Sequence, residues 1–221
     1  MTIDNPHLND NRKYNYENLE KSFREEYTVI QKIVSTNATL VDLGCGDGSL
    51  LQLLREYNGV QGVGVEISES GVRSTLDKGF QCFHQSIDTI LPFRDNEFEY
   101  AVCNVTIQMV TYPEILMSEM CRVSKYQIIS FPNFAFYKNR IDLLFKGQYP
   151  SSYTFGYSWY NTGHIHPFSL KDFRKFAKMH NRKELAIFPG TNKKIIKSKL
   201  SKKYPNLFEL IPILLLSKAD V

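Results

Sequence analysis

The stretch "TLVDLGCGDGSLLQLLREYNGVQGVGVEIS", Thr39 to Ser68, decides the fold. "TLVDL" (39–43) is an apolar run of strand length. Three glycines follow at positions 44, 46 and 48. "SLLQLLREY" (49–57) then repeats leucine at helical spacing, and "VQGVGVEIS" (60–68) is β-rich, with glycines that permit close packing. Strand, tight glycine turn, helix, strand is the pattern of a nucleoside-binding α/β unit, in which the turn brings backbone amides to a helix N-terminus.

The charges around the turn narrow the ligand. A dinucleotide loop reads G-x-G-x-x-G and cradles a pyrophosphate. Here the third glycine falls one step early, Asp42 precedes the loop and Asp47 lies inside it. A pyrophosphate would meet two carboxylates. A ligand with an ammonium, a second positive charge and no phosphate is welcomed instead, and S-adenosylmethionine has that chemistry. Glu66 ends the second strand, where an acid in a doubly wound sheet reaches ribose hydroxyls. That carboxylate serves either cofactor; the loop charge chooses between them. The plainer reading is a strand–helix turn with a surface glutamate.

Outward from this unit the alternation continues. A helix is expected in "SESGVRSTLDKG", strands in "FQCFH" (80–84), "FEYAVCNV" (98–105) and "YQIISF" (126–131), and a helix over "PEILMSEMCRVS" (113–124) with Pro113 in its first turn. Such alternation implies a mostly parallel, doubly wound sheet. Before it, Phe23, Tyr27, Ile30 and Val34 share one helical face, so a leader of residues 1–35 packs on a domain spanning 36–221. A helix is expected over "YKNRIDLLFK" and a long aromatic loop, a candidate lid, at about 132–168. Ser169 caps "SLKDFRKFAKMH". "KELAIFP" and "LFELIPILLLS" read as late strands joined by a lysine-rich stretch.

Composition excludes several classes. The 221 residues suit one domain, 43% are hydrophobic and the net charge is +4, too small to imply nucleic acid. Cys45, Cys82, Cys103 and Cys121 form no CxxC pair, which argues against a zinc site or disulfide framework and fits a reducing cytoplasm. The polar N-terminus has no signal-peptide core, and no apolar run reaches a membrane span. The lysines of 193–203 lack interleaved aromatics and read as a solvated hairpin rather than a nucleic-acid patch.

"VDLGCGDGSLL" with "GVGVEIS" resembles motif I and the second-strand acid of class I S-adenosylmethionine-dependent methyltransferases, and "ILPFRDNEFEYAVCN" resembles their entry into the fourth strand. "RVSKYQIISFPNFAFYKNRIDLLFKGQYP" and "YSWYNTGHIHPFSLKDF" are more specific and resemble the MetW family of methionine biosynthesis proteins, over about residues 36 to 219. The resemblance implies an α/β class I methyltransferase (Rossmann-like) sheet, doubly wound, with seven strands, mostly parallel and closed by an antiparallel final hairpin. It implies that Asp42, Gly44, Cys45, Gly46 and Gly48 line the methionine end of S-adenosylmethionine or S-adenosylhomocysteine, with Glu66 and Ile67 at the ribose. Ser86, Ile87 and Asp88 would hold the adenine, although many relatives have an acid where Ser86 stands. Asn104 and Val105 would lie near the sulfur. The partner it implies is a homoserine O-acyltransferase.

Methyl transfer needs mainly proximity and orientation, with a base only where the nucleophile must lose a proton. His164 and His166 are the base candidates, because histidine titrates near neutrality; the plainer reading is that they hydrogen-bond the loop. No third ligand has the spacing for a metal with them. Tyr157, Trp159 and Tyr160 wall a substrate pocket or contact a partner. "CNVTIQ" lacks the Asn/Asp-Pro-Pro-aromatic segment that holds an exocyclic amine, and no Pro-Cys nucleophile occurs. Two functions follow: a MetW-like helper of the acyltransferase, or an independent methyltransferase acting on a small-molecule substrate.

Overall fold

The computed structural model describes residues 24–190 and 202–219. Seven strands form one sheet: β1 (Thr39–Leu43), β2 (Gln61–Glu66), β3 (Gln81–His84), β4 (Phe98–Asn104), β5 (Ser124–Ser130), β6 (Arg182–Pro189) and β7 (Pro212–Lys218). Their order is β3-β2-β1-β4-β5-β7-β6. The first five run parallel; β7 lies antiparallel to β5 and β6 antiparallel to β7. The expected sheet and its closing hairpin are present, and each strand begins or ends within about two residues of its expected place. The exception is "LFELIPILLLS". There Pro205 opens a short helix, Pro205–Phe208, and the strand starts only at Pro212, because a proline presets the helical φ of a first turn.

Strand alternation builds two cores. Leu40, Tyr100, Val102, Ile128 and Ile213 face α1 (Glu25–Ile33) and α2 (Ser49–Asn58). Val41, Ala101, Cys103, Ile129 and Leu214 face α4 (Pro113–Val123) and α6 (Leu170–Met179). The remaining long helix, α3 (Glu69–Asp77), follows β2 and is capped by Ser68, whose hydroxyl accepts the Gly71 amide at 3.1 Å. Of the expected leader face, Tyr27, Ile30 and Val34 are buried against the sheet. Phe23 and Lys193 to Lys199 lie outside the described residues. Ser169 caps α6 in a reciprocal capping box with Asp172.

The "SFPNF" segment after β5 is a structural knot. Asn133 is fully buried, and its Nδ2 donates to the carbonyls of Asn206 and Glu209, at 3.0 and 2.9 Å. Its Oδ1 accepts the amides of Ala135 and Leu170. One side chain therefore joins the end of β5, the start of α6 and the segment entering β7. The following helix, α5 (Tyr137–Ile141), widens into a π-helical turn at Asp142–Lys146, where one continuous α-helix was expected.

Asn133→Ala removes the partner of two carbonyls and two amides at once, one of each fully buried. At about 1 kcal/mol per lost hydrogen bond, it should cost roughly 3 kcal/mol and lower Tm by about 6–12 °C, read by thermal denaturation.

Candidate functional site

β1 pairs with β2 on one side and β4 on the other, so the C-terminal ends of these strands open at the point where strand order reverses. Crevices outside such ends are where open α/β sheets bind ligands. Asp42, the glycine turn, Glu66 and Asn104 all arrive there.

The turn needs its glycines. Gly44, Gly46 and Gly48 have φ of 78°, 56° and 76°, a region that costs an L side chain about 1–2 kcal/mol each. Space forbids a side chain as well. A Cβ on Gly44 would lie 2.7 Å from the Thr106 methyl, and one on Gly48 would lie 2.9 Å from Thr75 Oγ1. Helix α3 grips the turn from the other side: the Thr75 hydroxyl donates to the Gly46 carbonyl at 3.2 Å, and Lys78 Nζ donates to the Asp47 carbonyl at 2.5 Å.

Three acids meet at this turn and behave differently. Glu66 is 5% exposed, and its two oxygens accept the Gly46 amide at 2.8 Å and the Ser68 amide at 2.9 Å. Asp47 turns away from the crevice: it accepts the Ser49 amide and hydroxyl, and Lys78 Nζ lies 3.7 Å from it. Its charge is compensated locally, so only part of the loop's negative charge is available to a ligand. Asp42 is 2% exposed, and its carboxylate accepts no hydrogen bond from the described residues. Burial first, then the carboxylates of Glu66 and Asp47, push Asp42 up to about 7, with Arg24 pulling the other way. A buried acid with like-charged neighbours is held ready for a cation.

The turn after β4 is strained. Val105 has φ of 53°, unusual for a β-branched residue. Its amide donates to the carbonyl and the hydroxyl of Ser130, at 3.1 and 3.0 Å, and its carbonyl accepts Gln108 Nε2 at 2.9 Å. Ser130 Oγ donates to Asn104 Oδ1 at 2.5 Å, and Thr106 Oγ1 donates to the Asn104 carbonyl at 3.0 Å. Gln108 is fully buried and its Oε1 has no partner.

The remaining expected residues divide. Ile67 offers its carbonyl to His84 Nε2 at 2.8 Å. The Ser86 hydroxyl donates to Asp88, whose other oxygen accepts the amides of Thr111 and Tyr112, each at 2.9 Å. Ile87 is 5% exposed and packs in the α4 core. These side chains already serve the fold around α4. Cys45 is buried over Gly64, with its sulfur 3.8 Å from that of Cys82; a hydrogen bond from Cys82, then burial, raises its thiol well above the usual range. The aromatic loop is strapped to the post-β4 turn. The amides of Ile165 and His166 both donate to the Gln108 carbonyl, and the Tyr153 hydroxyl donates to the His166 carbonyl at 2.8 Å. The His164 ring packs edge-on against Tyr153, with centroids 5.1 Å apart. Of the two histidines, His166 is tied to the post-β4 turn through its amide, whereas His164 packs within the aromatic loop. Tyr157, Trp159 and Tyr160 are 52, 71 and 72% exposed.

The family model described as "Methionine biosynthesis protein MetW" matches residues 24–216. The chain belongs to the MetW family. A bifunctional methionine biosynthesis protein MetXA/MetW of Rhodopirellula baltica is 33% identical over 143 residues, 60% of this chain and 23% of that protein. A demethylmenaquinone methyltransferase of Shouchella clausii is 29% identical over 113 residues, 48% of either chain. The chain thus spans less than half the length of these two relatives. Among solved structures, the methyltransferase bound to the Trm112 methyltransferase activator of Haloferax volcanii superposes with a TM-score of 0.64 at 14% identity, over 89% of this chain and 91% of that one. The fold is that of the class I methyltransferases.

Gly71, Thr75 and Lys78, which clasp the turn, and Thr106, Gln108 and Ser130, which build the one after β4, were not legible as site residues. Gly71 carried the one usable signal. A glycine inside a helix pattern costs stability, and here a Cβ would lie 2.8 Å from the Gly46 carbonyl. Among the described residues no group of three metal ligands occurs, and no helix is long and apolar enough to cross a membrane.

The Asp42 environment sets a pH dependence of stability. Its folded pKa lies above its unfolded value, so the folded state holds the extra proton and stability falls as pH rises from about 4 through about 7. Asp42→Asn removes the buried charge. It should raise stability by roughly 2 kcal/mol more at pH 8 than at pH 5, measured by denaturant melts at the two pH values. A gain independent of pH would contradict this account of the site.

Proposed function

We propose that this chain binds S-adenosylmethionine or S-adenosylhomocysteine at the glycine turn and acts in methionine biosynthesis with a homoserine O-acyltransferase. The observation that carries the cofactor reading is the buried carboxylate of Asp42, which accepts no hydrogen bond from the described residues, beside a turn whose second acid is compensated by Lys78. A phosphate would be repelled there, whereas the α-ammonium of an amino-acid nucleoside supplies the missing positive charge. Gly44 to Gly48 would receive the methionine end. Glu66, still an acceptor after its two amide bonds, would take ribose hydroxyls with Ile67 beside it. Ser86, Ile87 and Asp88 would approach the adenine, and Asn104 and Val105 the sulfur. When bound, the methylated form of this cofactor supplies a methyl group on a sulfonium, already activated for displacement.

Support for the partner comes from the family and from the Rhodopirellula protein whose name joins MetXA to MetW. On this reading occupancy of the crevice reports the methionine supply to the acyltransferase. The second reading is methyl transfer to a small molecule with His164 or His166 as base, favoured by the demethylmenaquinone methyltransferase likeness and by the amide of His166 bonded to the Gln108 carbonyl. Turnover of labelled S-adenosylmethionine with loss of the methyl group to a cellular acceptor would select it.

Calorimetric titration with S-adenosylhomocysteine tests the cofactor reading. Asp42→Asn should weaken binding about tenfold or more at pH 8 while leaving the protein more stable. Glu66→Ala is the less specific variant, because it also frees the Gly46 and Ser68 amides. Absence of binding by the unmodified protein would reject the cofactor and leave the turn as an element of the fold.

A further inference from the structure

Ten of the eighteen large apolar side chains exposed among the described residues fall between Ile141 and Ile165, so the exposure is local rather than scattered. The most exposed are Leu144 at 76%, Phe145 at 77%, Trp159 at 71% and Tyr160 at 72%. Between Lys146 and Lys171 there is no Asp, Glu, Lys or Arg, in a chain that is 23% charged.

This surface is also organised. Tyr153 is fully buried at its centre, held by its hydroxyl to the His166 carbonyl and by its ring against Phe134, Tyr149 and His164. Around it the Gly156 amide donates to the Ser151 carbonyl, and Thr154 Oγ1 donates to the Tyr157 carbonyl at 2.5 Å. Trp159 and Tyr160 lie edge to face, with ring centroids 5.7 Å apart. A loop anchored in this way presents its aromatics without a large ordering cost.

The chemistry of the surface selects the kind of ligand. A small molecule is enclosed by its pocket, whereas these rings stand in solvent. A nucleic acid or an anionic lipid surface needs Lys or Arg, and the loop has neither. Aromatic enrichment with charge depletion is the composition of a protein–protein interface core. We propose that the exposed apolar side chains of this segment, Leu144, Phe145, Trp159 and Tyr160, are the docking surface for the homoserine O-acyltransferase. This rests on the partnership proposed above. A pair fused in one polypeptide, as in the Rhodopirellula relative, is kept together by its linker at high effective concentration. With or without such a linker, a desolvated aromatic core would hold the two proteins in one orientation, and these side chains supply one. The base of the loop is the 164–166 segment bonded to the Gln108 carbonyl, so the docking surface and the crevice share one structural support.

The test pairs the full-length chain with its own organism's homoserine O-acyltransferase and measures Kd by calorimetry or interferometry. Trp159→Ala/Tyr160→Ala and Leu144→Ser/Phe145→Ser should each weaken the complex at least tenfold. Both should retain the Tm and the S-adenosylhomocysteine titration of the parent. Tyr57→Ala, which removes an exposed ring elsewhere, should leave Kd unchanged. If the parent forms the complex and the two double variants bind equally well, the docking surface is wrong and the partnership stands. If the parent forms no complex, the partnership fails and this occupant with it. If the parent self-associates and the two double variants are monomeric, a second copy of the chain is the occupant and the proposal is overturned.

Discussion

Glu66 accepts the Gly46 amide with one carboxylate oxygen and the Ser68 amide with the other, at 2.8 and 2.9 Å, and so fastens the turn after β1 to the end of β2. Everything else in the crevice is arranged around that link. It fixes the left-handed turn, which lets Gly71 of α3 pack against the Gly46 carbonyl, which in turn brings Thr75 and Lys78 onto the loop. Because Lys78 then compensates Asp47, the charge left in the crevice rests on Asp42 and Glu66. The Glu66 carboxylate is thus the clasp that shapes the crevice.

Across β1 the opposite wall stores cost instead of relieving it. Val105 is held at positive φ by two hydrogen bonds to Ser130, and Gln108 leaves a buried oxygen without a partner. Strain of this kind, of order 1–3 kcal/mol per feature, persists where the surroundings over-determine it and is concentrated at functional sites. Together with the buried Asp42, which accepts no hydrogen bond from the described residues, it places three unfavourable features at the ends of two adjacent strands, β1 and β4. That is the pattern of a site preorganised for a ligand that satisfies them on binding.

Much of this was legible in the sequence because it depends on local rules. Glycines at 44, 46 and 48 announce a left-handed turn, leucines at helical spacing announce α2, and alternating strands announce the sheet. Asp42 and Glu66 could be placed beside the glycine turn because their strand positions fix where their side chains arrive. What could not be read depends on distance in the chain. The neutralisation of Asp47 by Lys78 requires knowing that α3 returns over the loop. The engagement of Ser86 and Asp88 with the turn before α4 requires knowing that Thr111 and Tyr112 reach the segment after β3. Asn133, quoted as part of a specific motif, gave no sign that it bonds to Asn206 and Glu209. The aromatic loop divides for the same reason: Tyr153 goes inside and Trp159 outside, with no periodicity to separate them.

The account stands or falls on Asp42 as the counter-charge to a cationic ligand. The direct measurement is the number of protons exchanged when S-adenosylhomocysteine binds at pH 7, obtained by calorimetry in two buffers of different ionisation enthalpy. With Asp42 near half protonation before binding and fully ionised against an ammonium afterwards, about half a proton should be released, and none in Asp42→Asn. Binding with no proton released by the unmodified protein, or with the same release in the variant, would contradict it.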